Sequence, residues 1–234
     1  MFDVLHADET HWLLMQKGGS KKWYVWALSM EDAVYCHLNA SRSKDVARRL
    51  LDGYRGVALT DGYAAYQSMQ GPGSTLRLVH CMAHVRRKFI EALPAYLQSQ
   101  PAIDLIGQLY AVERTLPTLS GREGAEREQA LALRLDTRKK ESASVMKELH
   151  AWLTSQDALT KSLLHEALSY TLNLWPGLKL LLDEPRVPLD NNLCERDLRG
   201  VVSGRSLCVT PNPGPPGDSL RGEEAPVDAR SPVG

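Results

Sequence analysis

Nowhere in the chain do about 18 apolar residues follow one another, so no membrane-crossing helix is expected. The opening stretch, MFDVLHADET, carries neither the basic start nor the long apolar segment of a secretory signal. Cysteine is scarce. Cys36, Cys81, Cys194 and Cys208 lie far apart with no CxxC pair, which speaks against a disulfide framework and makes a reduced, cytoplasmic compartment the expectation. An excess of either charge is also missing, because 28 Lys and Arg offset 28 Asp and Glu. The field of the whole chain therefore offers no general attraction to a polyanion, and any nucleic-acid surface must come from local clusters of cations. What is present is ordinary globular composition, 43% hydrophobic and 24% charged over 234 residues. That length suits one large domain, or a core with an inserted subdomain.

The order of patterns along the chain is βββαβαβα. FDVLHAD (2–8) reads as a short strand ending on a carboxylate. WYVWALS follows a polar GGSKK turn, and AVYCHLN (33–39) follows a second turn at Met30–Asp32, giving an antiparallel meander. SKDVARRLLDGY (43–54) puts Val46, Leu50 and Leu51 on one helical face behind Ser43 as N-cap. GVALTD (56–61) is a fourth strand, again ending on an aspartate, and TLRLVHC (75–81) a fifth, with a helix in AHVRRKFIEALPAYL. This order predicts an α/β fold: a mixed five-stranded sheet with flanking helices and carboxylates at strand ends. Residues 95–184 change character, with Leu, Ala, Glu, Arg and Lys at helical spacing, and read as an all-helical insertion. Within it RKKESASVMKE reads as a solvated charged face. The helix of PLDNNLCERDLRGVV opens on Asp190 or Asn191 as N-cap. The expected organisation is thus a core in two parts, 1–94 and 185–205, around the insertion at 95–184. A Pro/Gly-rich tail at 206–234 has too little apolar surface to fold.

Asp8 and Asp61 end the first and fourth strands. If those strands are neighbours, two carboxylates converge at one sheet edge, where they repel unless cations lie between them. Hard oxygen ligands favour Mg²⁺ or Mn²⁺. Two such ions activate an attacking oxygen and stabilise a leaving one in phosphoryl displacement, and Glu195 on the last helix would complete the ligand set.

The motifs DET (8–10), DGYAAY (61–66), CMAHVRRKF (81–89) and DNNLCERDLR (190–199) occur in this order on those elements. Together they resemble the insertion sequence 66 family of bacterial transposases, from about Asp3 to about Arg205. Met82 stands where that family usually has Trp. The resemblance implies an RNase H-like catalytic domain with a helical insertion. It implies Asp8, Asp61 and Glu195 as the acidic triad, two Mg²⁺ or Mn²⁺ ions, and double-stranded DNA as substrate, both transposon ends and target. It also implies a homo-oligomer in the synaptic complex. The stretch from Asp61 to Glu195 is too long for a bare RNase H-like fold, and the helical block accounts for it.

CxxH at Cys81–His84 is half of a zinc ligand set, and His80 adds a third candidate. No second CxC or HxxxH pair follows at a usual spacing, so a structural zinc site is not expected. Cys81 is read as buried and His84 as lying near the metal edge. Arg86, Arg87 and Lys88 start a helix beside the site; successive helical positions diverge, so at most two can face one DNA backbone. Asn192, Glu195 and Arg199 share one face of the last helix behind Asn191, with Cys194, Leu198 and Val201 on the adjacent apolar face. The reading is a DDE-type strand-transferase core. Two alternatives stand beside it. One is an inactive remnant, suggested by a strand pattern that begins almost at Met1, with no room for an upstream recognition module, and by an unrelated Pro-rich tail after SGR (203–205). The other is a stand-alone RNase H-like nuclease.

Overall fold

The computed structural model describes residues 4–16, 19–71 and 73–202. The expected tail at 206–234 lies outside the described residues. Five strands form one sheet in the order β3-β2-β1-β4-β5. β1 (Leu5–Gln16), β2 (Gly19–Ser29) and β3 (Val34–Asn39) make the antiparallel meander. β4 (Gly56–Thr60) and β5 (Leu76–His80) add to the other side of β1, parallel to it and to each other. This mixed order is consistent with an RNase H-like sheet.

Two expectations about β1 and β2 are corrected. β1 does not end at Asp8 but continues to Gln16, and β2 already begins at Gly19 inside the GGSKK stretch. The reason is a long hairpin: His6 pairs with Ser29 and Gln16 with Gly19, so every residue beyond Asp8 finds a backbone partner on β2. Asp8 is therefore inside a strand. The turn at Met30–Asp32 forms as expected, closed by the Met30 amide on the Ala33 carbonyl at 2.8 Å.

The sheet is covered on both faces because its residues alternate. Leu5, Ala7, Ala58 and Leu78 pack beneath α1 (Lys44–Leu50) and α2 (Ala64–Gln67), with Val46, Ala47 and Tyr66 filling that core. Helix α1 stops at Leu50, short of the expected span, and Ser43 precedes it in extended conformation without a side-chain cap bond. On the opposite face Val57, Leu59 and Val79 meet Val187. There Val25 and Ala27 also receive Cys194 and Leu198 from α8 (Asn192–Val202).

α3 (Met82–Ala92) follows β5 directly and buries Met82, Val85, Phe89 and Ala92 on one stripe. From there the chain is helical: α4 (Gln100–Thr115), α5 (Gly124–Thr137), a π-turn at Arg138–Ser142, α6 (Ala143–Ser155) and α7 (Leu163–Lys179). α4, α6 and α7 do not stand apart. Ile106, Leu109, Leu149, Leu164 and Leu174 share one hydrophobic cluster with Val85 and Phe89 of α3. The solvated face expected over RKKESASVMKE is also corrected: Lys139 and Lys140 are exposed, but Arg138 is completely buried.

Candidate active site at the ends of the parallel strands

Three parallel strands deliver chemistry to one level. Leu5 pairs with Ala58 and His6 with Leu59, and two residues further along each chain come Asp8 and Asp61, close enough for the Asp61 charge to act on Asp8. Thr60 pairs with His80, so Cys81 follows at the next step, its amide bonded to the Thr60 carbonyl at 3.0 Å. Carboxyl ends of parallel strands are where open α/β sheets place their sites. Asp61 is held by a local turn, its Oδ1 accepting from the Tyr63 amide at 2.8 Å. Its carbonyl accepts from the Tyr170 hydroxyl of α7, which ties the helical block to the site.

The electrostatics of this edge are lopsided. Burial, then the negative charges of Asp61, Glu9 and Glu195, push the Asp8 carboxyl from its ordinary 3.8 up to about 7, against a single amide bond from Glu9. Glu9 is also buried and pushed up, but it is compensated. Arg42 donates to its Oε1 through Nε at 2.8 Å and Nη2 at 2.5 Å, and the Tyr66 hydroxyl donates to its Oε2 at 2.9 Å. The Arg42 guanidinium lies 4.2 Å over the Tyr63 ring, and Tyr63 returns a hydrogen bond to the Arg42 carbonyl at 2.6 Å. Among the described residues no cation offsets Asp8 in this way.

The last helix reaches the edge through Asn191, which is fully buried. Its Oδ1 meets His6 Nδ1 at 2.9 Å, its Nδ2 donates to the Ala7 carbonyl at 3.2 Å, and its amide donates to Cys81 Sγ at 3.3 Å. Asn191 thus braces the site from within, clasping β1 and α3. Asn192 is exposed, and its amide is capped by Asp190 at 3.2 Å. Glu195 contributes to the charge on Asp8 and lies 3.8 Å from the exposed Arg199. Its carboxylate also forms a tight group with Cys81 Sγ and a ring nitrogen of His84, all within 4.8 Å of one another. Burial pushes the Cys81 thiol up to about 11.

Beside this edge a cleft of about 570 Å³ opens between α3 and α4. Arg86 and Arg87 line it with Tyr110 and Arg114. Lys88 turns elsewhere, toward Glu91 at 3.9 Å. Five residues here escaped the sequence reading: Glu9, Arg42, Tyr66, Tyr110 and Arg114. Glu9 and Tyr66 lie inside the motifs DET and DGYAAY and were within reach. Arg42 and Arg114 carry no local signal.

These features define an α/β protein with an acidic centre at its parallel strand ends and a cationic cleft alongside. Comparison with known proteins agrees and is more specific: the sequence matches the Transposase IS66 family over residues 2–212, and the chain belongs to that family. It is 32% identical over 219 residues to protein y4jD of Sinorhizobium fredii, described as uncharacterized, covering 85% of this chain and 41% of that one. It is 30% identical over 211 residues to y4qI of the same organism, likewise described, covering 82% of this chain and 38% of the relative. The chain therefore spans about two fifths of the length of these curated relatives. Among the described residues no helix is long and apolar enough to cross a membrane.

Proposed function

We propose that this chain carries the RNase H-like catalytic core of a DDE-type DNA transposase, in which residues 95–184 are inserted between core segments 1–94 and 185–205. The observation that carries the reading is the approach of Asp8 and Asp61 just beyond the parallel pairing of β1 and β4, with Asp8 half-buried among acids and lacking a cation. Such a donor set fits hard divalent ions: it supplies only carboxylate oxygens, and its mutual repulsion is relieved by positive charge. Asp8, Asp61 and Glu195 would hold two Mg²⁺ or Mn²⁺ ions, which when bound activate the attacking oxygen and stabilise the leaving one.

The chain's own residues bind and orient. The Arg42–Glu9–Tyr66 contacts lock the strand next to Asp8 onto α2, and Asn191 fixes the start of α8 so that Glu195 faces the same edge. Arg86, Arg87 and Arg114 grip the phosphodiester backbone of double-stranded DNA, giving the local cation cluster that a neutral chain requires. Water attacks a phosphodiester at the transposon end and expels its 3′-oxygen as a hydroxyl; that 3′-hydroxyl then attacks a target phosphodiester in line, joining to its phosphorus and expelling the target's own 3′-hydroxyl.

Melting temperature with and without about millimolar Mn²⁺ tests the centre by mass action. A rise is expected in the parent chain and none in an Asp8→Asn/Asp61→Asn double variant; equal shifts in both defeat the shared site. Strand-transfer assays with matched transposon ends then separate the rivals. Joining supports the transposase, cutting without joining supports a nuclease, and neither, with the Mn²⁺ shift intact, identifies an inactive remnant.

A further inference from the structure

The CxxH element contributes two ligands, while the neighbouring His80, a third candidate by sequence, is engaged through Nδ1 with Thr60 Oγ1 at 3.3 Å, so the sequence alone completes no set. The fold does. Helix α8 brings Glu195 from the far end of the chain to the start of α3, where its carboxylate, Cys81 Sγ and a His84 ring nitrogen lie within 4.8 Å of one another. In a tetrahedral zinc shell neighbouring ligand atoms are about 3.3–3.8 Å apart, so a modest contraction around an ion closes the set. A second observation is independent of that spacing: His84 Nδ1 is buried with no hydrogen-bond partner. Buried ring nitrogens are normally satisfied. A third concerns the sulfur. The Asn191 amide donates to Cys81 Sγ at 3.3 Å, and Asn191 is itself anchored on His6 and the Ala7 carbonyl. Outer partners of this kind hold a metal ligand in position.

We propose that Cys81, His84 and Glu195 form a binding site for a borderline-soft divalent cation of the Zn²⁺ type, distinct from the all-oxygen centre and sharing Glu195 with it. Sulfur and imidazole select zinc or cobalt over magnesium, so the two centres differ in ion class. Three protein ligands leave a fourth position to solvent, the arrangement of exchangeable rather than closed sites. Filling the site draws Glu195 away from Asp8 and Asp61. Zn²⁺ is then an inhibitor of strand chemistry, a consequence that rests on the transposase reading, whereas the binding itself does not.

Titration of the full chain with Co²⁺ tests the site without reference to activity. One equivalent should produce thiolate-to-cobalt absorption in the near ultraviolet and tetrahedral bands in the visible. Zn²⁺ should abolish both, and excess Mg²⁺ should leave them unchanged. Cys81→Ser should remove the near-ultraviolet band, with circular dichroism confirming that the variant is folded. Because Cys81 is buried, His84→Ala provides a second test at a more accessible position and should weaken Co²⁺ binding about tenfold or more. Absence of the band in the folded parent overturns the proposal, as does a band that survives both substitutions, which would belong to another cysteine. A cobalt site that persists in a chain inactive in strand transfer would remove only the inhibitory consequence.

Discussion

In the helical block Arg138 is completely buried, yet each of its five donors ends on an acceptor. Glu113 takes two at 2.7 and 2.8 Å, the Leu181 and Glu184 carbonyls accept at 3.2 Å, and Val187 accepts at 2.8 Å. Arg134 adds a second guanidinium, lowered to about 10 by burial and by Arg138, and bonded to the Pro185 and Pro117 carbonyls. At the strand ends the opposite holds. Asp8 is half-buried, has one amide for company and faces three other carboxylates. Buried charge with a complete set of partners holds a fold together; buried charge without one destabilises it and persists where something external supplies the partner. The contrast sets charge that the fold balances for itself against charge that it leaves unbalanced.

The largest test breaks the balanced side. Arg138→Met leaves the Glu113 carboxylate only Arg134 at 3.4 Å and removes a donor from three buried carbonyls, so it should cost about 3–5 kcal/mol in urea unfolding. An unchanged midpoint would show that the network is decorative and the comparison empty. The next test acts on the unbalanced side and has the opposite sign. Asp8 titrates near 4 when unfolded and at about 7 when folded. Between those values the unfolded chain has released its proton while the folded chain keeps it, so this group lowers stability as pH rises through that window. His80, held down from its ordinary 6.5 to about 4 by burial, works in the other direction over most of it, so only the difference between variant and parent isolates Asp8. In metal-free buffer at pH 8, Asp8→Asn should stabilise the chain by about 2 kcal/mol, below a ceiling of about 4, and the gain should vanish toward pH 4. A loss at pH 8 would show that the carboxylate is compensated after all.

Which side was legible in the sequence follows from the range of the interactions. GVALTD and TLRLVHC announce buried strands because each is a short apolar run bounded by turn residues. Asp61 could therefore be placed from its neighbours, and the helical block was legible from its spacing. The continuation of β1 past Asp8 was not, because Leu13 and Met15 are exposed apolar residues on the hairpin and blur the alternation. Arg138 was misread for a related reason: its neighbours Lys139 and Lys140 are solvated, and only a partner 25 positions away reveals that it is buried. Glu195 was found through its motif, while its meeting with Cys81 and His84 depends on how α8 packs on the sheet. Pairings closed by tertiary structure leave no local trace.

A third test asks how closely the two regions are joined. Gly177 of α7 lies against β5 so tightly that an added Cβ would fall 2.8 Å from the Leu78 carbonyl oxygen and 2.5 Å from the His80 ring. A strand carbonyl cannot swing aside as a side chain can. Gly177→Ala should push α7 off the sheet and cost about 1–3 kcal/mol. It should also disturb the site, because Tyr170 on the same helix bonds to Asp61. If stability falls but the Mn²⁺-induced shift is unchanged, the block and the site are separable.

The smallest expected effect on stability, and the sharpest on function, is at Arg114. It is exposed on α4, away from the balanced network, and it lines the cleft with Arg86, Arg87 and Tyr110. An exposed arginine with no structural duty should be replaceable by alanine within about 0.5 kcal/mol. If the cleft carries a DNA backbone, however, each lost phosphate contact removes one released counterion. The slope of log affinity against log salt should then become shallower by about one for Arg114→Ala on duplex DNA, with affinity falling across all sequences alike. Fluorescence anisotropy over a salt series measures both quantities. An unchanged slope would take the helical block out of the DNA path and leave Arg86 and Arg87 to act alone. A fall confined to particular sequences would mean that Arg114 reads bases, which phosphate contacts do not do.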